Sequence, residues 1–173
     1  MKFYSGFSLQ NETYLFEPFL KEGDYTISGF SYGAIKAFEA VTVALKEKKR
    51  VDTLQLCSPA FFQTKEEKFK RLQLMSYKKN KLLYLKQFLK SCFTPYESKV
   101  VQNVETDVSE LEELLYYIWD EEALQQVIDA GVKIEVYLGG KDAIIDVEGA
   151  REFFLKVATV TYIKEANHFL QLS

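Results

Sequence analysis

The stretch that decides the fold is residues 25–37, which read YTISGFSYGAIKA. A short run rich in β-branched and aromatic residues leads into Gly29-Phe30-Ser31-Tyr32-Gly33 and then into an amphipathic segment. This succession predicts a strand, a tight turn and a helix. Such a turn strains the serine at its apex, and small residues on either side let neighbouring backbone pass. Ser31 is therefore a candidate nucleophile; the alternative is an ordinary glycine-rich turn.

Short apolar runs alternate with helical segments at both ends of the chain. The predicted strands are Lys2–Ser5, Tyr25–Ser28, Asp52–Cys57, Lys133–Leu138 and Thr159–Ile163. The helices predicted to cover them are Asn11–Lys21, with Asn11 as its cap, Tyr32–Lys48 and Val147–Val157. This alternation indicates an α/β fold with about five mainly parallel strands.

The middle of the chain, residues 61–130, contains no glycine and a single proline. Its leucines recur at helical spacing, and two further helices are predicted at Val108–Ile118 and Glu121–Ala130. We interpret this segment as a helical insertion within a single domain that comprises the whole chain. It is expected to form a lid at the carboxyl edge of the sheet, where open α/β sheets bind ligands.

The chain contains one histidine, His168, in a loop after the last predicted strand. If Ser31 depends on a histidine base, His168 is the only choice. Asp142 follows the preceding strand in a glycine-bearing turn, where its carboxylate could fix the histidine tautomer. The alternatives are an ordinary histidine, and a turn or capping role for the aspartate. Asp146, directly before a predicted helix, fits the capping role better.

An oxyanion hole needs two backbone amides aimed at the developing charge. The Tyr32 amide directly follows the candidate nucleophile. The second amide is expected from Phe7, in the turn after the first predicted strand, because Gly6 permits a tight turn there. The Phe7 side chain could equally be a core residue.

The net charge of -3 conceals a strong asymmetry. Between Phe61 and Lys90 there are nine basic and two acidic residues, whereas between Ser91 and Glu122 there are nine acidic residues and one lysine. The basic segment could attract an acidic protein partner, with contacts expected from Lys65, Lys68, Lys70, Arg71, Lys78 and Lys79. It could instead be a solvated face that pairs with the acidic helix. Nucleic-acid binding is disfavoured because no recognisable module is present.

Apolar residues make up 47% of the chain and charged residues 27%, which is typical of a globular protein. The first residues lack the apolar run of a signal peptide, and no window approaches a membrane span, so we expect a cytoplasmic protein without a membrane partner. Cys57 and Cys92 are expected to be free thiols, because they show no metal-ligand spacing. We expect a monomer that needs no metal and no organic cofactor.

The motifs Gly29–Gly33, Gly140–Asp142 and Ala166–Phe169 resemble the α/β-hydrolase superfamily, and the resemblance extends over almost the whole chain. The compact size and basic insertion are similar to the small atypical esterases of biotin synthesis, the BioV-type pimeloyl-[acyl-carrier protein] methyl ester esterases. The resemblance implies hydrolysis of that methyl ester with release of methanol, an acyl carrier protein as partner, and a triad formed by Ser31, Asp142 and His168. A thioesterase or small-ester hydrolase with the same triad, and a non-catalytic interaction module, are the alternatives.

The sequence departs from the common superfamily pattern in two places. The strands that open a full-length member are expected to be absent, so that Lys2–Ser5 would begin the sheet beside Tyr25–Ser28. Ser5 also stands where many members place a histidine before the oxyanion glycine, a departure that concerns only the oxyanion assignment. The aromatic side chains expected to line an acyl tunnel are Phe61, Phe62, Tyr116 and Trp119.

Overall fold

Seven short strands organise the chain, for which a computed structural model describes all residues from Met1 to Ser173. In chain order they are β1 (Lys2–Tyr4), β2 (Leu9–Gln10), β3 (Thr26–Phe30), β4 (Thr53–Cys57), β5 (Gln102–Asn103), β6 (Lys133–Gly139) and β7 (Thr159–Ile163). Five form one parallel sheet in the order β1-β3-β4-β6-β7, and β2 pairs with β5 in an antiparallel ladder. The predicted α/β fold with five parallel strands is confirmed.

Six α-helices connect the strands, and the helices predicted at 32–48, 108–118, 121–130 and 147–157 are present in slightly shorter form. In chain order the helices are α1 (Tyr32–Lys46), α2 (Glu67–Lys79), α3 (Lys81–Phe93), α4 (Val108–Tyr116), α5 (Glu121–Asp129) and α6 (Val147–Phe154). Aspartates at the starts of α4 and α5 accept hydrogen bonds from first-turn amides, which fixes where these helices begin. Every helix falls short of the length and apolar character that crossing a bilayer requires.

The parallel register brings three functional loops to one edge of the sheet. Gly29 of β3 lies beside Leu56 of β4, which lies beside Val136 of β6, and Val136 lies beside Val160 of β7. Because the strands run in the same direction, the loops after β3, β6 and β7 all leave from the carboxyl edge. These loops carry the three predicted catalytic side chains.

The two faces of the sheet are covered differently. On one face α1, α5 and α6 pack over a fully buried aliphatic layer that includes Leu54, Leu56 and Val136. Burial of each such side chain stabilises the fold by about 1.5–3 kcal/mol. On the other face Phe16 and Phe169 pack against Phe30, with ring centroids 4.7 and 5.0 Å from it. The second face therefore holds Phe30, the residue before Ser31, in place.

The helix predicted at Asn11–Lys21 is wrong. Only residues Thr13–Phe16 form a helix, a single 3-10 turn, and Asn11 has a φ of 64°, so it does not cap an α-helix. Pro18 gives the physical reason, because a proline inside a helix removes a backbone donor and clashes with the preceding turn. One 3-10 turn is enough to bury Leu15 and Phe16, which produced the apolar pattern.

The insertion at residues 61–130 is only partly helical. We call α2, α3 and α4 the lid helices, because they contact residues around the carboxyl edge of the sheet. α5 belongs to the sheet layer instead, since it packs against α1. Between α3 and α4 the chain is extended, and its β5 pairs with β2, placing Leu9 opposite Asn103. The loop after β1 is thereby joined to the insertion.

Candidate active site

Ser31 lies at the sharp turn between β3 and α1 with φ 53° and ψ -114°. Non-glycine residues rarely adopt such a conformation, and it persists only where surrounding structure holds it. The Ser31 amide donates to the Cys57 carbonyl at 3.0 Å, and its own carbonyl accepts from the amides of Ala34 and Ala60 at 3.0 and 3.1 Å. Both peptide groups of the serine are therefore fixed, and its side chain is held at the apex.

Two glycines make this turn possible. A Cβ atom on Gly29 would lie 2.1 Å from the Gly33 carbonyl oxygen, and one on Gly33 would lie 2.0 Å from the Tyr4 carbonyl oxygen. Both neighbours are backbone atoms, which cannot move aside as a flexible side chain could. The G-x-S-x-G spacing is thus a packing requirement of the β3–α1 turn against β1.

His168 faces Ser31 from the loop after β7. Its Nε2 atom lies 3.1 Å from the Ser31 Oγ atom, and the histidine is fully buried. The imidazole packs against Phe30, with ring centroids 4.9 Å apart. This contact and the hydrogen bonds at both ring nitrogens hold the ring in one orientation.

Asp142 completes the hydrogen-bonded chain from the loop after β6. Its Oδ2 atom lies 2.6 Å from Nδ1 of His168, and the Asp142 side chain is fully buried. Its Oδ1 atom accepts from the amides two and three residues later, at 2.7 and 3.2 Å. The aspartate therefore both forms a turn and contacts the histidine. Asp146 instead accepts from the Gly149 amide and caps α6.

The loop that carries His168 is anchored by groups that the sequence did not single out. Asn167 donates from Nδ2 to the Phe93 carbonyl at 2.8 Å, and it exchanges further hydrogen bonds with Gln171. Gly139 lets this loop approach β6, because a Cβ there would lie 2.4 Å from the Asn167 carbonyl oxygen. The last turn of α3 is thus tied to the residue next to His168.

The two predicted oxyanion amides have different surroundings. The Tyr32 amide is in the first turn of α1, where no intrahelical acceptor exists. The Phe7 amide donates no hydrogen bond within the protein, which leaves it available. Its loop is held by Glu12, whose Oε1 atom accepts from the Gly6 amide at 2.8 Å. Glu12 is a residue that sequence reasoning missed, because only its apolar neighbours carry a helical pattern.

The side chains of both predicted oxyanion residues contact the lid helices. The buried Phe7 ring lies 6.3 Å from Tyr77 of α2 and 6.0 Å from Phe88 of α3, measured between centroids. The Tyr32 hydroxyl donates to Glu113 of α4 at 2.6 Å. Burial and this carboxylate raise the pKa of Tyr32 to about 12. The lid therefore packs directly on both residues.

A cavity of about 310 Å³ lies among the lid helices, next to these contacts. Ile144, two residues after Asp142, forms part of its wall, as does Phe88. Most of its lining is apolar, the remainder is uncharged Gln and Ser, and no Lys, Arg, Asp or Glu lines it. The cavity suits a neutral, mainly aliphatic group.

The four aromatic residues predicted to line a tunnel lie in three different environments. Phe62 lines the cavity. Phe61 and Trp119 are buried in the core between α1 and α6, where Trp119 packs against Phe154 at 5.2 Å. Tyr116 is partly exposed on α4, and its hydroxyl donates to Glu67 of α2 at 2.6 Å.

The six predicted partner-binding residues form an open basic surface along α2. Arg71 has one weak intrahelical pair with Glu67 at 4.0 Å, and Lys68, Lys78 and Lys79 have no acidic partner. Lys65 and Lys70 lie over aromatic rings. No ion pair joins the acidic α4 helix to α2, and Glu113 of α4 pairs with Lys36 of α1 instead. A groove of about 580 Å³ lies between α3 and the segment around β5. Its lining includes Lys81, Lys86 and Lys90, and also Glu105, which pairs with Lys81.

Comparisons with known proteins agree with the fold. No protein-family model matches the chain, and no curated protein matches it. Among solved structures, the hydrolase olei00960 from Oleispira antarctica superposes with a TM-score of 0.60 at 14% identity, covering 85% of this chain and 59% of that one. The chain has the α/β-hydrolase fold.

Two further solved structures share this α/β-hydrolase fold. The carboxylesterase CesB from Bacillus subtilis has a TM-score of 0.55 and 16% identity, with 85% of this chain and 54% of that chain covered. A bromoperoxidase from Bacillus anthracis has a TM-score of 0.60 and 12% identity, with 83% of this chain and 60% of that chain covered. The chain thus spans between 54 and 60% of the length of these structures. Their different activities leave the function to be argued from the site.

Proposed function

We propose that the chain is a serine carboxylic ester hydrolase with Ser31 as nucleophile, His168 as general base and Asp142 as the orienting acid. The observation that carries this proposal is the continuous hydrogen-bonded chain from Asp142 through His168 to Ser31, at distances of 2.6 and 3.1 Å. Nucleophile, base and orienting group within hydrogen-bond reach form the arrangement that activates a hydroxyl. The strained turn at Ser31 adds support.

In the proposed reaction, His168 Nε2 takes the Ser31 hydroxyl proton as Oγ attacks the ester carbonyl carbon. The amides of Tyr32 and Phe7 donate to the oxyanion of the tetrahedral intermediate. The intermediate then expels the alcohol, which receives the proton from His168, and an acyl-Ser31 ester remains. Water, deprotonated by His168, attacks that ester and releases the carboxylic acid and the serine hydroxyl. No step requires a metal or an organic cofactor.

Asp142 supplies orientation and charge in this scheme. Its buried carboxylate accepts the Nδ1 proton of His168, which leaves Nε2 free to accept from Ser31. When His168 becomes an imidazolium, the same carboxylate stabilises the positive charge. The turn amides on the other carboxylate oxygen keep it from rotating away.

As substrate we propose the methyl ester of pimeloyl-[acyl-carrier protein], which would be hydrolysed to the free acid and methanol in biotin biosynthesis in the cytoplasm. The motif resemblance supports this choice. The uncharged cavity suits a neutral aliphatic acyl chain, and a methyl-capped chain carries no terminal charge. The basic surface along α2, with Lys68, Lys78 and Lys79 free of acidic partners, suits an acidic carrier protein as partner.

The experiment that tests this proposal is release of free pimeloyl-carrier protein from its methyl ester by the purified chain. Conformation-sensitive electrophoresis and mass spectrometry follow the product, and a sample pretreated with a fluorophosphonate serves as control. Cleavage by the untreated sample alone, with the phosphonyl adduct mapped to Ser31, would support three parts of the proposal: the esterase activity, Ser31 as nucleophile and the carrier-linked methyl ester as substrate. Turnover of short nitrophenyl esters or acyl thioesters without cleavage of the carrier ester would support hydrolase activity. It would reject the methyl ester of pimeloyl-carrier protein as the substrate. Inactivity toward all of them would favour an interaction module.

The basic surface gives a separate prediction. Reversal of two unpaired charges, Lys78→Glu with Lys79→Glu, should raise KM for the carrier-linked ester about tenfold, the equivalent of about 1.4 kcal/mol. KM for a nitrophenyl ester should not change, because that substrate has no carrier. Raising the salt concentration should shrink the difference between wild type and variant, since exposed charges are screened.

The matched control for charge reversal is Lys46→Glu with Lys48→Glu. These exposed lysines lie at the end of α1, at the opposite edge of the sheet from Ser31. Their reversal changes the net charge equally but should leave both KM values unchanged. If both double variants raised KM for the carrier-linked ester alike, overall charge rather than docking on α2 would explain the effect.

A further inference from the structure

Glu12 is a completely buried acidic residue beside the proposed active site. It directly precedes the 3-10 helix and lies beyond β2 in the chain. Its Oε1 atom accepts a hydrogen bond from the Gly6 amide at 2.8 Å. Its Oε2 atom is buried without any hydrogen-bond partner. Burial raises the pKa of Glu12. A buried carboxyl with an unpaired oxygen costs stability, so the residue needs a reason beyond packing.

The hydrogen bond to Glu12 restrains Gly6, the one glycine in the loop after β1. Gly6 has no side chain that restricts its dihedrals, and a Cβ there would lie 2.7 Å from the Phe30 ring. Two hydrogen bonds restrain it instead. Glu12 holds the Gly6 amide, and the Leu9 amide donates to the Gly6 carbonyl at 3.1 Å.

The orientation of the Phe7 amide follows from these two bonds. The Gly6 carbonyl and the Phe7 N–H belong to the same planar peptide group. Fixing the Gly6 amide on one side and its carbonyl on the other therefore fixes the direction in which the Phe7 N–H points. No other hydrogen bond in the protein holds the Gly6 amide.

We propose that Glu12 is the positioning residue of the oxyanion hole, holding the Gly6–Phe7 peptide so that the Phe7 amide points at the oxyanion; this rests on the proposed esterase function. Glu12 touches neither substrate nor nucleophile in this role. It stabilises the tetrahedral intermediate and the transition states that lead to it but not the bound ester, because the oxyanion is absent from the ground state.

The test compares Glu12→Gln with Glu12→Met. Both replacements are close to glutamate in size, but they differ in whether they can accept a hydrogen bond. Glutamine keeps a side-chain oxygen that can accept from Gly6, whereas methionine has none. We expect Glu12→Met to lower kcat for a nitrophenyl ester about 30-fold with KM unchanged, somewhat less than the loss of about 10²–10³ on removing an oxyanion donor. Glu12→Gln should stay within about threefold of wild type. Glu17→Gln, at an exposed glutamate five residues on, is the control.

A transition-state analogue separates positioning from general destabilisation. A trifluoromethyl ketone forms a hemiketal with Ser31 whose oxygen occupies the oxyanion hole. Across wild type and variants, its inhibition constant should rise in proportion to the fall in kcat/KM. If Glu12→Met does not fold, Glu12→Asp replaces it, since its carboxylate is one methylene shorter and is withdrawn from Gly6.

The outcomes separate the two levels of the proposal. Wild-type inactivity toward all esters, with no labelling of Ser31, would reject the esterase function itself. An active wild type with unchanged kcat in the variant that lacks the contact would overturn the role of Glu12. Equal losses of kcat in Glu12→Gln and Glu12→Met would also overturn the role of Glu12. A loss of kcat without weaker binding of the trifluoromethyl ketone would do the same.

Discussion

Replacing Asp142 by asparagine is expected to lower kcat by about 10⁴, a loss of about 5 kcal/mol of transition-state stabilisation. The structure gives the reason. The asparagine oxygen can still accept the two turn amides at the Oδ1 position, so the loop should keep its shape. The amide nitrogen would then face His168 Nδ1 and donate to it, which places the imidazole proton on Nε2. In that tautomer His168 cannot accept the Ser31 proton.

The measurement is steady-state turnover of a nitrophenyl ester, with circular dichroism to verify folding and Ser31→Ala to set the background rate. Asp146→Asn is the matched control, because Asp146 caps α6 and does not touch His168. It should keep activity close to that of wild type. Full activity in Asp142→Asn would show that another group orients the histidine, and a comparable loss in both variants would point to a structural defect.

Replacing Gly33 by alanine is expected to cause a large loss of stability. The new Cβ would lie 2.0 Å from the Tyr4 carbonyl oxygen and 2.4 Å from that of Ser5, so α1 and β1 must separate. We expect the free energy of unfolding to fall by at least about 3 kcal/mol, out of a total of roughly 5–15 kcal/mol for a domain. The activity of the remaining folded protein should also fall, since β1 leads into the loop proposed to supply the Phe7 amide to the oxyanion hole.

Urea denaturation followed by fluorescence measures this effect, and Gly131→Ala is the control. Gly131 has a φ of 92° but open space around its Cβ position, so alanine there adds backbone strain without a clash. Gly131→Ala should lower the free energy of unfolding by about 1–2 kcal/mol. A Gly33→Ala protein as stable as Gly131→Ala would mean that β1 is not packed against α1 as described.

The sheet and its hydrogen-bonded chain could be predicted because their signals are local. Strand propensity, the glycine spacing around Ser31 and the presence of a single histidine each depend on short stretches of sequence. Parallel strands then bring the loop residues to one edge without further information. The placement of Ser31, Asp142 and His168 at one edge then followed from the strand order.

The remaining parts of the site depend on contacts between distant residues, which no periodicity reveals. Glu12 was hidden in a stretch whose apolar pattern resembled a helix, although Pro18 argued against one. Glu113 meets Tyr32 across 81 positions, and Asn167 meets Phe93 across 74. Composition could predict that α2 is basic, but not that Glu113 of α4 pairs with Lys36 of α1.

The pairing of β2 with β5 has an evolutionary consequence. The ladder joins the segment that follows the proposed oxyanion loop to a strand more than ninety residues later, within the insertion. Ser8 strengthens the join, because its hydroxyl donates to the Val104 carbonyl. A change in the length or course of the insertion is therefore transmitted to the neighbourhood of Phe7. We therefore expect substrate preference to depend on the insertion and the first dozen residues together.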